Sequence, residues 1–232
     1  MKQHLAWVVF VAASSLALAG CSSAPLSPSA DRSGSAGAPT TSPTTPAPAL
    51  TSDYVDYPPG PYGTTRGAVI ENLEFLGWKR PADAGYDAGR FEKVRLSDFY
   101  NPDQRSELKL LAVNASAVWC VVCRSEYQDM NTNGTYDTVR PQGIELLGTL
   151  FEDVSYFPAQ PADLTRWGQA SNHAVKFPLV LDPGFKMGAY FTSDATPLNM
   201  VIDVRTMTIV LVTMGYSPTY WDTVRGLLAK TQ

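Results

Sequence analysis

The chain reads as an α/β protein in which a central mixed sheet carries helices on both faces and is preceded by an N-terminal extension. Three features of its 232 residues predict this. Apolar runs of strand length alternate with stretches of helical length in the order β-α-β-α-β-α-β-β-α. The stretch Asp53 to Gln232 is of single-domain size and long enough to bury a sizeable core. Two cysteines, Cys120 and Cys123, sit where an apolar run gives way to a helix.

The first 52 residues are addressed before any fold. Lys2 supplies a positive start, and Leu5 to Ala19 is an apolar run too short for a membrane span but suited to a secretory signal. Residues 1–20 are therefore expected to be removed. The end of this segment, Leu18-Ala19-Gly20-Cys21, resembles the bacterial lipobox, which implies lipid on Cys21 as the first mature residue. Acyl chains there exceed the two-signal threshold for stable anchoring at about 0.8 kcal/mol per buried methylene. Ser22 rather than Asp follows, so the inner-membrane retention rule does not apply and the outer membrane is favoured. Residues 22–52 are Ser, Thr, Pro, Ala and Gly apart from Leu26, Leu50, one acid and one base, with no aromatic, a composition that cannot fold by burial. As a flexible tether they span about 30 Å. The expected setting is extracytoplasmic, on the periplasmic face.

The folded part then unrolls element by element. Residues 53–93 form an extension, irregular at first because Asp53 to Thr65 is rich in Tyr, Pro and Gly, with Val69 to Trp78 as an extra strand. Leu108 to Val118 is apolar and bounded by polar residues, a buried strand. Cys120 to about Met130 is a helix, which Asn131-Thr132-Asn133-Gly134 interrupts and Thr135 to Arg140 resumes before Pro141-Gln142-Gly143 turns the chain. Ile144 to Phe151 is the next strand and Pro161 to Asn172 a helix with proline in its first turn. Phe177 to Leu181 is a short strand and Gly184 to Phe191 a helix. Leu198 to Val204 and Met207 to Thr213 are two strands joined by a tight turn. The last helix, Pro218 to Lys230, places Trp221, Val224, Leu227 and Leu228 on one face.

Cysteine spacing carries the chemistry. Two thiols three residues apart can close a disulfide from the first turn of a helix, where partial positive charge and free amide donors favour a thiolate on Cys120. Cys123, one turn in, is placed to resolve a mixed disulfide faster than an external thiol. A structural staple and half of a zinc site are the other readings of the pair. The staple closes too small a loop to stabilise much. Zinc needs further ligands, and only His173 remains after residue 20. No metal is expected, and no cofactor beyond the Cys120–Cys123 disulfide. A net charge of −4 without a basic cluster argues against nucleic acid as a partner.

From Val94 to Ala229 the chain resembles the thioredoxin-like thiol-disulfide oxidoreductases, most closely the membrane-tethered TlpA-type branch. The residues that carry the resemblance are Trp119-Cys120-Val121-Val122-Cys123-Arg124, Glu126, Phe177-Pro178 and Thr196-Pro197. It implies a thioredoxin-like domain over residues 94–232 and electron exchange with protein thiols and disulfides, here as a monomer. It also implies that Thr196-Pro197 is a cis-proline loop facing the cysteines, that Trp119 shields the disulfide and contacts the partner, and that Glu126 assists proton transfer. A solvated helix carboxylate is the other reading of Glu126, and core packing the other reading of Trp119. Many thioredoxins carry a buried Asp six residues before the first cysteine, where this chain has Asn114, which is no base. Copper delivery through His173 calls for a wider cysteine spacing, and peroxidase chemistry for Thr or Ser where Ala117 stands. Val121-Val122 and Tyr127-Gln128 depart from the family's common residues. The resemblance therefore implies a thiol-disulfide oxidoreductase. Reduction of protein disulfides, apocytochrome c among them, is the favoured role, with oxidant or isomerase as the other directions of electron flow. A scaffold lipoprotein with a static disulfide is the alternative of another class.

Overall fold

The computed structural model describes residues 56–172 and 174–230. The signal segment, Cys21, the tether and His173 lie outside the described residues. The elements, in chain order, are β1 (Glu74–Trp78), β2 (Glu92–Arg95), β3 (Leu110–Ser116), α1 (Val121–Thr132), α2 (Thr135–Val139), β4 (Ile144–Leu150), α3 (Pro161–Gly168), β5 (Leu179–Leu181), β6 (Leu198–Asp203), β7 (Thr208–Met214) and α4 (Tyr220–Leu228).

The strands form one sheet in the order β2-β1-β5-β4-β3-β6-β7. β3, β4 and β5 are mutually parallel neighbours, and the remaining pairs are antiparallel. All seven residues of β3 and of β4 are buried, as the apolar runs require for strands covered on both faces. Crossovers between parallel strands are right-handed as a rule, and β3 to β4 and β4 to β5 step the same way along the sheet, so both helical connections belong on one face. That face holds α1, α2, α3 and α4, packed as one cluster with Leu110, Ala112, Leu146, Leu179 and Val201. The opposite cluster, with Leu111, Val113, Leu147 and Met200, is covered by the 3-10 turns Leu96–Phe99 and Lys186–Tyr190 and by the entry chain around Ile70 and Leu73.

Differences from the sequence expectation have local causes. The strand expected from Val69 starts at Glu74, because residues 67–70 instead clip the other end of the sheet: Gly67 N donates to Ile209 O, and Ile70 N to Met207 O. β2 is legible only in retrospect, since Glu92-Lys93-Val94-Arg95 shows one buried residue in four. Such a charged edge strand resists pairing with other chains. The helix expected over Gly184 to Phe191 is a 3-10 turn. The buried Asp182 carboxylate accepts from Lys186 N at 2.8 Å and Met187 N at 2.9 Å, and Phe185 takes a left-handed φ of 49°. α3 ends at Gly168 rather than Asn172, since Val175 N donates to Gly168 O. Gly134, at φ 57°, makes the expected break between α1 and α2. In α4, Val224 is buried while Trp221, Leu227 and Leu228 are half-buried.

Gly77 is what lets the extension join the sheet. An added Cβ there would lie 2.3 Å from Leu179 O and 2.6 Å from Val180 Cα, both backbone atoms of β5. Gly77→Ala is expected to cost about 1–3 kcal/mol in urea unfolding, the range for overpacking. Limited proteolysis should then cut within residues 56–100 before any other part of the domain; unchanged stability and an unchanged first cut would show that β1 does not depend on this approach.

Candidate redox site

The strand β3 ends at Ser116, and the chain turns through Ala117 to Trp119 into α1. Two backbone bonds fix this turn to the loop after β4: Val118 N donates to Glu152 O, and Phe151 N to Ser116 O. Cys120 is the N-cap residue of α1, and its Sγ accepts from Cys123 N at 3.0 Å. A cap position normally uses a side-chain oxygen to satisfy a free amide of the first turn; here sulfur takes that place. Cys120 and Cys123 are joined, with an S–S distance of 2.06 Å. Cys123 is fully buried, and Cys120 is 4% exposed. Between them Val121 and Val122 are 66% and 47% exposed, an apolar surface at the mouth of the site.

The peptide bond Thr196–Pro197 is cis, and Thr196 Oγ1 donates to Cys120 Sγ at 3.3 Å. The loop thus lies against the disulfide, at the start of β6. Phe177-Pro178 stands at the start of β5, with Pro178 O accepting from Gly148 N. Trp119 is half-buried. Its Nε1 donates to Glu152 Oε2 at 2.7 Å, and its ring stacks on Tyr156 at 5.0 Å between centroids.

Glu126 is buried, 1% exposed, so it is no solvated helix carboxylate. It points from α1 to the sheet, where Asn114 of β3 and Asn199 of β6 stand directly opposite one another. Asn114 Nδ2 donates to Glu126 Oε2 at 2.8 Å and to Asn199 Oδ1 at 3.0 Å, and Asn199 Nδ2 donates to Glu126 Oε1 at 2.9 Å. Ser116 Oγ donates to Asn114 Oδ1 at 2.6 Å and so turns the Asn114 amide toward the carboxylate. Burial pushes the Glu126 carboxyl up to about 7; the two amide donors act against that rise, and the Asp129 charge adds to it. This carboxyl changes its charge near neutral pH.

Sequence reasoning did not reach Asn199, Ser116, Glu152 or the aromatic loop around Tyr156. The signal for Asn199 is present in retrospect: β3 and β6 each carry one Asn within an apolar buried run, and a polar side chain there needs a partner. The loop is built locally. Asp153 Oδ1 accepts from Ser155 N at 2.7 Å and from Phe157 N at 3.0 Å, which leaves Val154, Tyr156 and Phe157 exposed beside Trp119.

No family model and no curated protein sequence matches the chain. Solved structures do. A Chlorobium tepidum protein assigned as the thiol:disulfide interchange protein DsbE superposes with a TM-score of 0.53 at 15% identity, covering 73% of this chain and 99% of that one. The thioredoxin domain of a Bacteroides vulgatus thiol-disulfide oxidoreductase gives 0.51 at 15% identity, covering 72% and 99%. Mycobacterium tuberculosis AhpC gives 0.51 at 16% identity, covering 72% and 96%. Identities this low speak to architecture alone. With its sheet order, its Cys120–Cys123 disulfide at a helix start and its cis Thr196–Pro197 loop, the chain has the thioredoxin fold.

Proposed function

We propose that the protein is an extracytoplasmic thiol-disulfide oxidoreductase, held to a bacterial membrane by lipid on Cys21, that reduces disulfides in other proteins, with apocytochrome c cysteines as one class of substrate. The observation that carries this is the disulfide at the N-terminus of α1 with Thr196 Oγ1 on Cys120 Sγ. Among the described residues no helix is long and apolar enough to cross a membrane; what supports attachment is the lipobox-like run Leu18-Ala19-Gly20-Cys21.

In the reduced protein the Cys120 thiolate is stabilised by the Cys123 amide, the Thr196 hydroxyl and the positive end of the twelve-residue α1 helix. It attacks one sulfur of a partner disulfide. The partner S–S bond breaks, an intermolecular S–S bond forms, and the leaving sulfur takes up a proton. Cys123 then gives its proton to the Glu126 carboxylate and attacks Cys120 Sγ; the Cys120–Cys123 bond forms as the mixed disulfide breaks, and the second partner sulfur leaves and takes up a proton. Two electrons pass from the dithiol to the partner, and a further protein dithiol must return them. Glu126 suits the proton step because its carboxyl is poised near 7. The competing reading, a scaffold with a static disulfide, has no use for an exchange loop. Measuring the Cys120/Cys123 potential and insulin reduction separates the two: a couple below about −300 mV that does not exchange with dithiols would sink the enzyme reading.

Single-cysteine variants report the order of attack. Cys123→Ser is expected to accumulate partner proteins linked through Cys120 on non-reducing gels, and Cys120→Ser to show none and to lose insulin reduction down to background. Equal trapping by both variants would refute the assigned roles.

Glu126 also makes stability depend on pH with a known sign. Its folded carboxyl titrates above the unfolded one, so both states are neutral at low pH, and stability falls as pH rises from the unfolded value toward about 7. Comparing wild type with Glu126→Gln between pH 4.5 and 7.5 should move the stability difference toward the variant, by on the order of 3 kcal/mol. Thiol alkylation rates across the same range should lose their inflection near 7 in the variant. Parallel stability curves and identical thiol titrations would remove Glu126 from the proton step.

A further inference from the structure

Beside the disulfide lies a cleft of about 570 Å³, a size suited to ligand side chains. Trp119 and Thr196 form the wall nearest Cys120. The floor is a set of packed rings: Phe151 and Phe185 have centroids 4.4 Å apart, and Phe185 and Phe191 5.2 Å. Two carboxylates complete the lining, Glu152 and Asp194, and none of the lining residues is basic. Glu152 is held in place by the Trp119 indole, through Oε2. Asp194 is exposed on the loop that leads to Thr196. The nearby base in this segment, Lys186, turns away: its ammonium donates to Glu74 O and sits 5.4 Å from the centre of the Phe75 ring.

We propose that this cleft is a specificity pocket that takes a lysine or arginine side chain of the substrate polypeptide, close in sequence to the cysteine under attack. The inference rests on the oxidoreductase reading and adds the substrate's chemistry to it. Aromatic walls with acidic ends match a side chain that has an aliphatic stem and a cationic head. The stem lies along the Phe185 and Phe191 rings, and the head reaches the two carboxylates across ring faces that attract cations. An apolar or aromatic side chain fits the floor but brings no charge to the two carboxylates. A glutamate is repelled by them. The pocket borders Thr196, which touches Cys120 Sγ, so occupant and reacting sulfur belong to one short stretch of chain.

The test uses the reduced protein and short peptides that carry one cysteine as a mixed disulfide with thionitrobenzoate. Lysine, norleucine or glutamate is placed at each of the three positions on either side of that cysteine. At one or more positions lysine is expected to release thionitrobenzoate about 2- to 5-fold faster than norleucine, the scale of an exposed ion pair, with glutamate slowest. The advantage should shrink as salt rises, and Asp194→Lys should reverse the order of lysine and glutamate. Equal rates at every position, a norleucine advantage, or a lysine advantage that survives in Asp194→Lys overturns the pocket. A second arm removes the chemistry: serine replaces cysteine in the peptides, and the Trp119 indole N–H resonance is titrated. A lysine peptide that fails to move that resonance more than its norleucine counterpart overturns the pocket whatever the exchange rates. A selective shift without any thionitrobenzoate release sustains the pocket and refutes the oxidoreductase reading instead.

Discussion

The contact on which the site depends is the clasp of one buried carboxylate by two cross-strand amides. A carboxyl group 1% exposed inside an apolar layer is costly unless each oxygen has a donor. Asn114 and Asn199 supply those donors only because they stand opposite one another in the β3–β6 ladder. A slip of one residue would send Asn199 to the other face of the sheet and leave Glu126 unsatisfied. The clasp therefore sets the register of β6 on β3. That register in turn places Thr196, three residues before Asn199, against Cys120 Sγ. Strand pairing, helix position and the geometry at sulfur are one constraint seen at three places.

Much of this was legible in the sequence, and the parts that were not have physical reasons. The apolar runs of β3, β4 and β6 and the glycine break after α1 are strong local signals, and they appear within a few residues of where pattern places them. The cis Thr196–Pro197 bond was legible only through resemblance, because nothing local in Ala-Thr-Pro-Leu distinguishes cis from trans. β2 carries charges at three of its four positions because it is an edge, and an edge strand gives no apolar alternation to detect. The turn at Lys186–Tyr190 is decided by the Asp182 side chain and the backbone it caps, which helical pattern does not report. At the site, the cysteines announce themselves by spacing. The partners of Glu126 do not, since they are separated from it by 12 and 73 residues.

Electrostatics and surface divide the labour around the disulfide. Beneath it sits a carboxyl poised near neutrality; around it sit Val121, Val122, Tyr156 and Phe157, all exposed and apolar. Exposed apolar groups gathered at one place mark a contact surface. The Glu126 carboxyl is thereby held on the buried side of α1, while the apolar groups face outward. The Asp153 turn holds the Tyr156 loop in a fixed shape, so this surface is built rather than induced.

The hydrogen bond from Thr196 to Cys120 joins residues 76 apart in the chain. During synthesis at about 5–20 residues per second, some 4–15 s pass between the appearance of the thiol and that of the loop that covers it. Over that interval the two thiols belong to an unfinished sheet, without Thr196 to oppose them or Asn199 to hold Glu126. Whatever oxidises or protects cysteines on the path out of the ribosome meets this pair in its unguarded form. The geometry around the two sulfurs is complete only once residues 196–199 have arrived.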